Sequence, residues 1–275
     1  MKLTNKTIFI TGGSRGIGLE IALAAAREGA NIVIAARSNK PQPKLPGTIH
    51  TAAKAIESAG GKCLPLVMDV RDETRVAECA TEAAAHFGGI DILVNNASAI
   101  YLAGSLDVPA KRFDLMQQVN MRGTFMASQA CLPYLLKSEN PHILTLSPPI
   151  NLDPKWFIRH TAYTISKYSM SMCVFGLAAE FGPQGVGVNA LWPKTVIDTA
   201  ALAMLKGMVD PKNCRLPKIV ADAAVAIFKR DAKRCSGNFF IDEEVLREEG
   251  VSDFSGYAVR AGEFLMPDLF LSEVR

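Results

Sequence analysis

Residues 8–18 read Ile-Phe-Ile-Thr-Gly-Gly-Ser-Arg-Gly-Ile-Gly, and this stretch decides the fold. The run from Thr7 to Ile10 is short, apolar and β-branched, which predicts a buried parallel strand. It enters Thr11-Gly12-Gly13-Ser14-Arg15-Gly16-Ile17-Gly18, and residues 19–27 then read as a helix. Strand, glycine-rich turn and helix in that order make a phosphate cradle. The turn must bend sharply, approach a pyrophosphate with bare backbone and let the helix pack on the strand, and glycine meets these demands because it lacks a Cβ. The N–H groups and dipole of the helix start then face the anion. An ATP-type P-loop is a poor fit, because Leu19 stands where a Gly-Lys pair would be needed.

Downstream, apolar strand patterns alternate with helical ones. Asn31–Ala36 predicts a second strand, ending at Arg37. Residues 38–51 hold three prolines and a glycine and predict a loop, longer than the ~2–6 residues usual at such a place. A helix is expected over 52–59, a strand and its exit over 63–70, a helix over 73–87 with Asp72 as its cap, and a strand leading into a polar turn over 90–98. One long helix is expected over 110–136, broken only by the polar Asn120. Further strands are expected at 142–147, 187–192 and 237–241, and helices at 162–181 and 221–230. Residues 195–218 read as a mobile cover with helical pieces, and 242–275 carry no recognisable chemistry. The pattern predicts an α/β, doubly wound (Rossmann-type) parallel sheet of about seven strands with helices on both faces. The 275 residues fit one domain, its cofactor-binding part about 1–145 and its substrate and catalytic part about 146–275.

Composition narrows the function. A net charge of +3 without basic blocks gives nucleic-acid binding little support. Cys63, Cys79, Cys131, Cys173, Cys214 and Cys235 lie far apart without a CxxC pair, so they read as reduced thiols, and no metal site is expected. No apolar run reaches the ~18 residues of a membrane span. Lys2 and Lys6 interrupt any signal-type start, and a cytoplasmic location is the expectation.

Ligands of such folds sit beyond the carboxyl ends of the strands. There, an acid after the second strand would bind the 2′-hydroxyl of NAD, but this chain has Arg37. With Arg15 it could pair a 2′-phosphate, so NADP is expected over NAD, the alternative being two solvated surface arginines. Tyr163 and Lys167 are four residues apart on a predicted helix and share a face. A phenol titrates near pH 10, too high for proton transfer at neutrality. A neighbouring ammonium and an oxidised nicotinamide would stabilise the phenolate. The pair could then pass a proton to or from an alcohol oxygen while the cofactor exchanges hydride with its carbon.

TGGSRGIG, the Asn95-Asn96-Ala97-Ser98 turn, Asn120, Tyr163-Thr164-Ile165-Ser166-Lys167 and Asn189 together resemble the classical short-chain dehydrogenase/reductase family over about residues 6–240. The 38–51 loop, LSPPIN at 146–151 and NALWPKT at 189–195 look like one group within it, the hydroxysteroid dehydrogenase-like protein 2 group. Fuller members of that group carry a carboxyl-terminal sterol-carrier domain, which is not found within these residues. The resemblance implies a cofactor site of Gly12, Gly13, Ser14, Arg15, Gly16, Ile17, Gly18, Arg37, Asp69, Val70, Asn96, Ala97, Tyr163, Lys167 and Pro193, with Asp69 and Val70 at the adenine. It implies Asn120, Ser147, Tyr163 and Lys167 as the catalytic set, Asn120 holding a water relay to the lysine. It further implies a homodimer or homotetramer that pairs helices 110–136 and 162–181.

Two places depart from the family. Ser147 lies sixteen residues before Tyr163 rather than about thirteen, with Pro148 in the second serine's place, and Pro193-Lys194 replaces the usual Pro-Gly. The activity implied is interconversion of an alcohol and a carbonyl. Trp156, Phe157, Trp192, Met204 and Leu205 are candidate walls for an apolar substrate. The rival is a non-catalytic nucleotide-binding or scaffold protein that keeps the fold.

Overall fold

The computed structural model describes residues 2–42, 45–200, 202, 207 and 209–271. Seven strands, β1 (Thr7–Thr11), β2 (Asn31–Ala36), β3 (Lys62–Val67), β4 (Ile92–Asn95), β5 (His142–Thr145), β6 (Gly187–Trp192) and β7 (Phe239–Ile241), form one sheet in the order β3-β2-β1-β4-β5-β6-β7. Every pairing is parallel. The order reverses between β1 and β4, and that reversal opens a crevice at their carboxyl ends.

The strands read as unbroken apolar runs because both faces are covered. Ile8 and Ile10 on β1 join Ile32, Ile34, Ile92 and Val94 in one core, closed by helices α1 (Gly16–Arg27), α2 (Ile49–Ser58), α7 (Lys218–Phe228) and α8 (Asp242–Glu248). Phe9, between them, points to the other side with Val33, Leu93, Ile143 and Val188. There the cover is α3 (Glu73–Phe87), α5 (Gly123–Leu135) and α6 (Thr161–Phe181). A smaller third cluster is built around Tyr163, Trp192 and Phe270, and Ala99 packs against both it and the second core.

Two helices carry the caps that fix their starts. Thr48 and Thr51 make a reciprocal capping box on α2, so that helix begins three residues earlier than the sequence pattern predicts. The Asp72 side chain accepts from the Arg75 amide at the start of α3.

The expected long helix over 110–136 divides. It comprises α4 (Ala110–Met116), a π turn (Gln117–Arg122) and α5. Asn120 sits in the π turn, which re-aims its side chain; such bulges accumulate at functional sites. The tail beyond β7 is the larger departure. After α8 it returns across the carboxyl ends of the strands, where Thr195 bridges Pro267, Ile197 bridges Arg215 and Arg215 bridges Ala258. The described parts of 195–218 are thus pinned by backbone bonds, while Met204 and Leu205 lie outside the described residues.

One core residue gives the fold a pH dependence. His142 on β5 is 1% exposed, and its Nε2 donates to the Arg230 carbonyl 3.2 Å away. Burial outweighs that bond and lowers its pKa to about 4. Above its ordinary value near 6.5 the ring is neutral folded and unfolded; below it only the unfolded chain takes the proton, so stability falls as pH drops toward about 4. The loss should reach about 3 kcal/mol, and His142→Gln should flatten it, as read from denaturant midpoints at neutral and acid pH. Equal acid losses in both proteins would clear His142 of the effect.

Candidate active site

At the crevice, the two strand-end turns are bonded to each other. The Asn96 amide donates to the carbonyls of Thr11 at 2.9 Å and Gly12 at 3.1 Å. In return, Thr11 Oγ1 accepts from the backbone of Asn96 and Ala97, each at 3.1 Å, and donates to the Val94 carbonyl. Asn96 therefore ties neighbouring backbones, whereas the Asn95 amide donates to the Ser128 hydroxyl on α5 at 2.9 Å. Thr11 was invisible as a site residue in the sequence, apart from its place immediately before the first glycine.

The glycines are required where they stand. Gly12 and Gly16 adopt φ of 69° and 58°, where other residues are strained. A Cβ on Gly12 would come 2.9 Å from Ala97 Cα, and one on Gly13 2.7 Å from Ile34. Beyond them, α1 starts with no side-chain cap and no acid in its first turn, which leaves its N–H groups facing the crevice.

The cations expected at the cofactor's ribose end are both held. Arg15 donates to the carbonyls of Pro46 at 3.0 Å and Gly47 at 2.7 Å, anchoring the 38–51 loop over the glycine turn. Ser14 and Ser38 add a hydroxyl pair at 2.7 Å. Arg37 stands mostly exposed, its Nη1 3.8 Å from Asp69. Asp69 is gripped more closely by Arg71, with its nearest contact at 2.6 Å, and Arg71's hydrogen bonds hold the Asp69 carboxyl below its ordinary range. Asp69 and Val70 lie just beyond β3, at its exit.

Deeper in, Asn120 is fully buried. Its side chain accepts from the Ala99 amide at 2.7 Å and donates to the Ala99 carbonyl and to Ser166 Oγ, both at 2.9 Å. It thus joins the β4 loop to α6 one residue before Lys167, through Ser166, which nothing in the sequence marks for this role. Lys167 Nζ donates to the Leu146 carbonyl at 2.6 Å and lies 5.0 Å from the centre of the Trp192 ring. The next residue, Ser147, is wholly buried, and its Oγ has no hydrogen-bond partner among the described residues. Buried polar groups are rarely left so. Pro148, in the second serine's place, has its carbonyl occupied by Ser171 Oγ at 2.6 Å. Pro193 follows β6 and leads into Lys194, whose amide donates to Asp242 at 2.9 Å and whose ammonium pairs with Glu243 at 2.8 Å.

The shifts of Tyr163 and Lys167 both run toward the neutral form. Tyr163 is 6% exposed, and burial first, then the charge of Asp268, pushes its phenol well above the ordinary value. Burial lowers the Lys167 ammonium to about 7, with Asp268 pulling the other way. Within the protein's own groups desolvation therefore exceeds charge pairing, and the phenol stays protonated at neutral pH. Around Tyr163 the wall is aromatic. Phe270, from the tail, is fully buried, with its ring 6.2 Å from that of Tyr163, 5.8 Å from Trp192 and 6.0 Å from Trp156. Nothing local in the sequence marks Phe270 or Asp268, because both arrive by the return of the tail.

A doubly wound parallel sheet with a glycine cradle at its switch point defines the dinucleotide-binding class of folds. The sequence matches the short chain dehydrogenase family over residues 6–208, and the chain belongs to that family. It is 59% identical over 270 residues to hydroxysteroid dehydrogenase-like protein 2 of Danio rerio, covering 98% of this chain and 65% of that one. To the Homo sapiens protein of the same description it is 57% identical over 272 residues, again covering 65% of the relative. The chain thus spans just under two thirds of the length of these relatives. Among solved structures, a short chain dehydrogenase from Mycobacterium thermoresistibile is 48% identical with a TM-score of 0.93, covering 98% of this chain and 96% of that one. A candidate dehydrogenase of Xanthomonas campestris is 59% identical with a TM-score of 0.97, covering 99% and 100%. Family members bind NAD or NADP and act on small molecules, which supports an oxidoreductase role. The cradle that a Cβ would fill and the orphaned Ser147 hydroxyl both fit such a cofactor. No described helix is long and apolar enough to cross a membrane.

Proposed function

We propose that this chain is a cytoplasmic, NADP-preferring oxidoreductase that interconverts an alcohol and a carbonyl on an apolar small molecule. The observation that carries this reading is the meeting of Lys167 with the β5 end at Leu146, next to the unpartnered Ser147 hydroxyl. In this reading the first 145 or so residues hold the cofactor and the remainder, from about 146, bring substrate and acid–base groups to it. Bound in the cradle, the nicotinamide cofactor supplies hydride or accepts it. Gly12, Gly13, Ser14, Gly16, Ile17 and Gly18 would hold the pyrophosphate, Arg15 and Arg37 the adenosine phosphate end, and Asp69 and Val70 the adenine side. Asn96, Ala97 and Pro193 would wall the nicotinamide half.

Tyr163 donates the proton in carbonyl reduction; its buried, protonated phenol suits that direction at neutral pH. Ser147 Oγ–H donates to the substrate oxygen and holds it against the phenol. Lys167 binds the ribose and, when charged, favours release of the phenolic proton. Asn120 fixes the β4 loop against α6 so that these groups keep their spacing. Trp156, Trp192 and Phe270 exclude water and favour an apolar substrate.

The test is oxidation of NADPH, followed at 340 nm over ketones, steroids and fatty-acyl derivatives. Tyr163→Phe removes the transferable proton with little change of shape, so the rate should fall by at least ~10²-fold while NADPH still binds. A folded Tyr163→Phe variant as fast as the parent would sink the role, and a chain that binds the cofactor but reduces nothing would favour the scaffold reading.

Cofactor choice rests on Arg37 and Arg15. Arg37→Asp should weaken NADPH selectively and spare NADH in fluorescence titrations; equal weakening of both would make Arg37 a merely structural residue.

The same reading includes assembly as a homodimer or homotetramer. Met121 and Phe125 on the π turn and α5, and Ile165, Met172 and Phe175 on α6, are large apolar side chains left about half exposed. Such faces mark interaction surfaces. Light scattering should give two or four times the 29.6 kDa chain mass; a monomer at micromolar concentration rejects the assembly.

A further inference from the structure

A cavity of about 390 Å³ opens between residues 149–152, at the exit of β5, and Phe270 and Leu271 of the tail. That volume is within the range of small-molecule sites, ~300–1,000 Å³. Both of its sides are fastened. The Tyr168 hydroxyl donates to the Asn151 carbonyl at 2.6 Å and accepts from the Asn151 N–H at 3.3 Å, so one group on α6 holds both backbone groups of the 149–152 side. On the tail side, the Trp192 indole N–H donates to the Leu269 carbonyl at 3.0 Å, and Asp268 N–H to the Lys194 carbonyl at 3.1 Å. Phe270, next in the chain, is held at φ 74°, a strained value for a residue with a side chain.

Of the residues lining the cavity, Phe270 is the one whose ring also packs on Tyr163, with centres 6.2 Å apart. The ring is wholly buried and meets Tyr168 at 5.2 Å, Trp192 at 5.8 Å, Trp156 at 6.0 Å and His160 at 6.4 Å. Close-packed interiors do not yield smoothly, so a ring enclosed on five sides stands as a fixed partition. We infer that Phe270 is the residue that sets substrate size. It separates the place beside Tyr163 from the 390 Å³ cavity, so the site takes compact apolar carbonyls and turns away those whose body must reach into the cavity. This rests on the catalytic place given to Tyr163 above. Ile150 and Leu271, from the cavity wall, pack against the same apolar cluster, so the exclusion is by bulk and not by an unmet hydrogen bond. Removing a ring from a packed site leaves a hollow, and Phe270→Ala would join the two spaces.

Cyclohexanone and 4-phenylcyclohexanone carry the same reacting carbonyl and differ by one ring. With NADPH, Phe270→Ala should raise kcat/KM for the larger ketone relative to the smaller by at least ~10-fold, the low end for an apolar pocket that changes by a small group. Phe270→Leu should raise the ratio by less, and it reads the same effect should the alanine variant fail to fold. A ratio unchanged in the folded variants overturns the inference and leaves the proposed function standing. A uniform rise for both ketones also overturns it, since Phe270 would then be a plug that must withdraw. Binding reads the partition without turnover. Trp156 and Trp192 are the chain's two tryptophans, and their rings lie 6.0 and 5.8 Å from that of Phe270, so their emission reports on this place. In fluorescence titrations 4-phenylcyclohexanone should bind Phe270→Ala at least ~10-fold more tightly than the parent, with cyclohexanone changing less. Adding Ile150→Trp, which fills the cavity from its other wall, should cancel that gain. A gain that survives Ile150→Trp comes from the hollow of the missing ring alone and overturns the inference. A gain that is cancelled, in a protein that reduces neither ketone, leaves the partition standing and rejects the proposed function instead.

Discussion

The Asn96 amide bridging the carbonyls of Thr11 and Gly12 is the constraint on which the site depends. At a switch point two neighbouring strands send their connections in opposite directions, which leaves backbone groups of both turns without ladder partners. Here those groups satisfy each other through Asn96 and Thr11. The turns come so close that Gly12 has no room for a side chain, because Ala97 already stands there. The carbonyls are consumed inward, and the N–H groups of the α1 start remain outward. The polarity of the crevice, donors exposed and acceptors spent, follows from that one junction.

The strands were legible because burial on both faces demands continuous apolar runs, and these are visible in any window of five or six residues. β1, β2 and β6 show it directly, each buried along its whole length. The Tyr163–Lys167 spacing was legible for a similar reason, since helical periodicity is local. The fate of Arg15 was not: whether it meets solvent, phosphate or a loop carbonyl depends on where Pro46 and Gly47 fold back. The π turn was half legible, as a polar residue where none belonged, but its geometry depends on Asn120 finding Ala99 and Ser166. Asp268 and Phe270 were illegible. Their partners lie some hundred residues earlier in the chain, and no periodicity records such a contact.

The aromatic enclosure has an electrostatic consequence. Burying a phenol beside an ammonium excludes water, which strengthens every charge interaction in the site and opposes every charge that lacks a partner. Tyr163 and Lys167 respond in opposite senses, each toward its neutral form. Near neutral pH only the lysine is close to its titration point, and the phenol keeps its proton. The orphaned Ser147 hydroxyl belongs to the same state of affairs, a polar group kept dry by its neighbours.

What lets a distant tail enter such a site is the ionic strut beneath it. Glu243, nearly inaccessible, is met by Lys194, Arg215 and Arg247. Burial would raise its carboxyl, but the hydrogen bonds from these three cations take it down to about 2. Buried ion pairs contribute little net stability against well-packed apolar side chains; their best-attested use is to fix one arrangement among several. Here the arrangement fixed is the register of the 194–198, 213–216 and 266–268 segments, since Lys194 and Arg215 belong to two of them and bond the third or its neighbour through their backbones. A glycine at 194 would keep the backbone bonds to Asp242 and Asp268 but leave Glu243 with one cation fewer. The lysine in that place is therefore coherent with the tail: the residue that departs from the family pattern ties, by its side chain, the strand end whose carbonyl Asp268 meets to the buried Glu243.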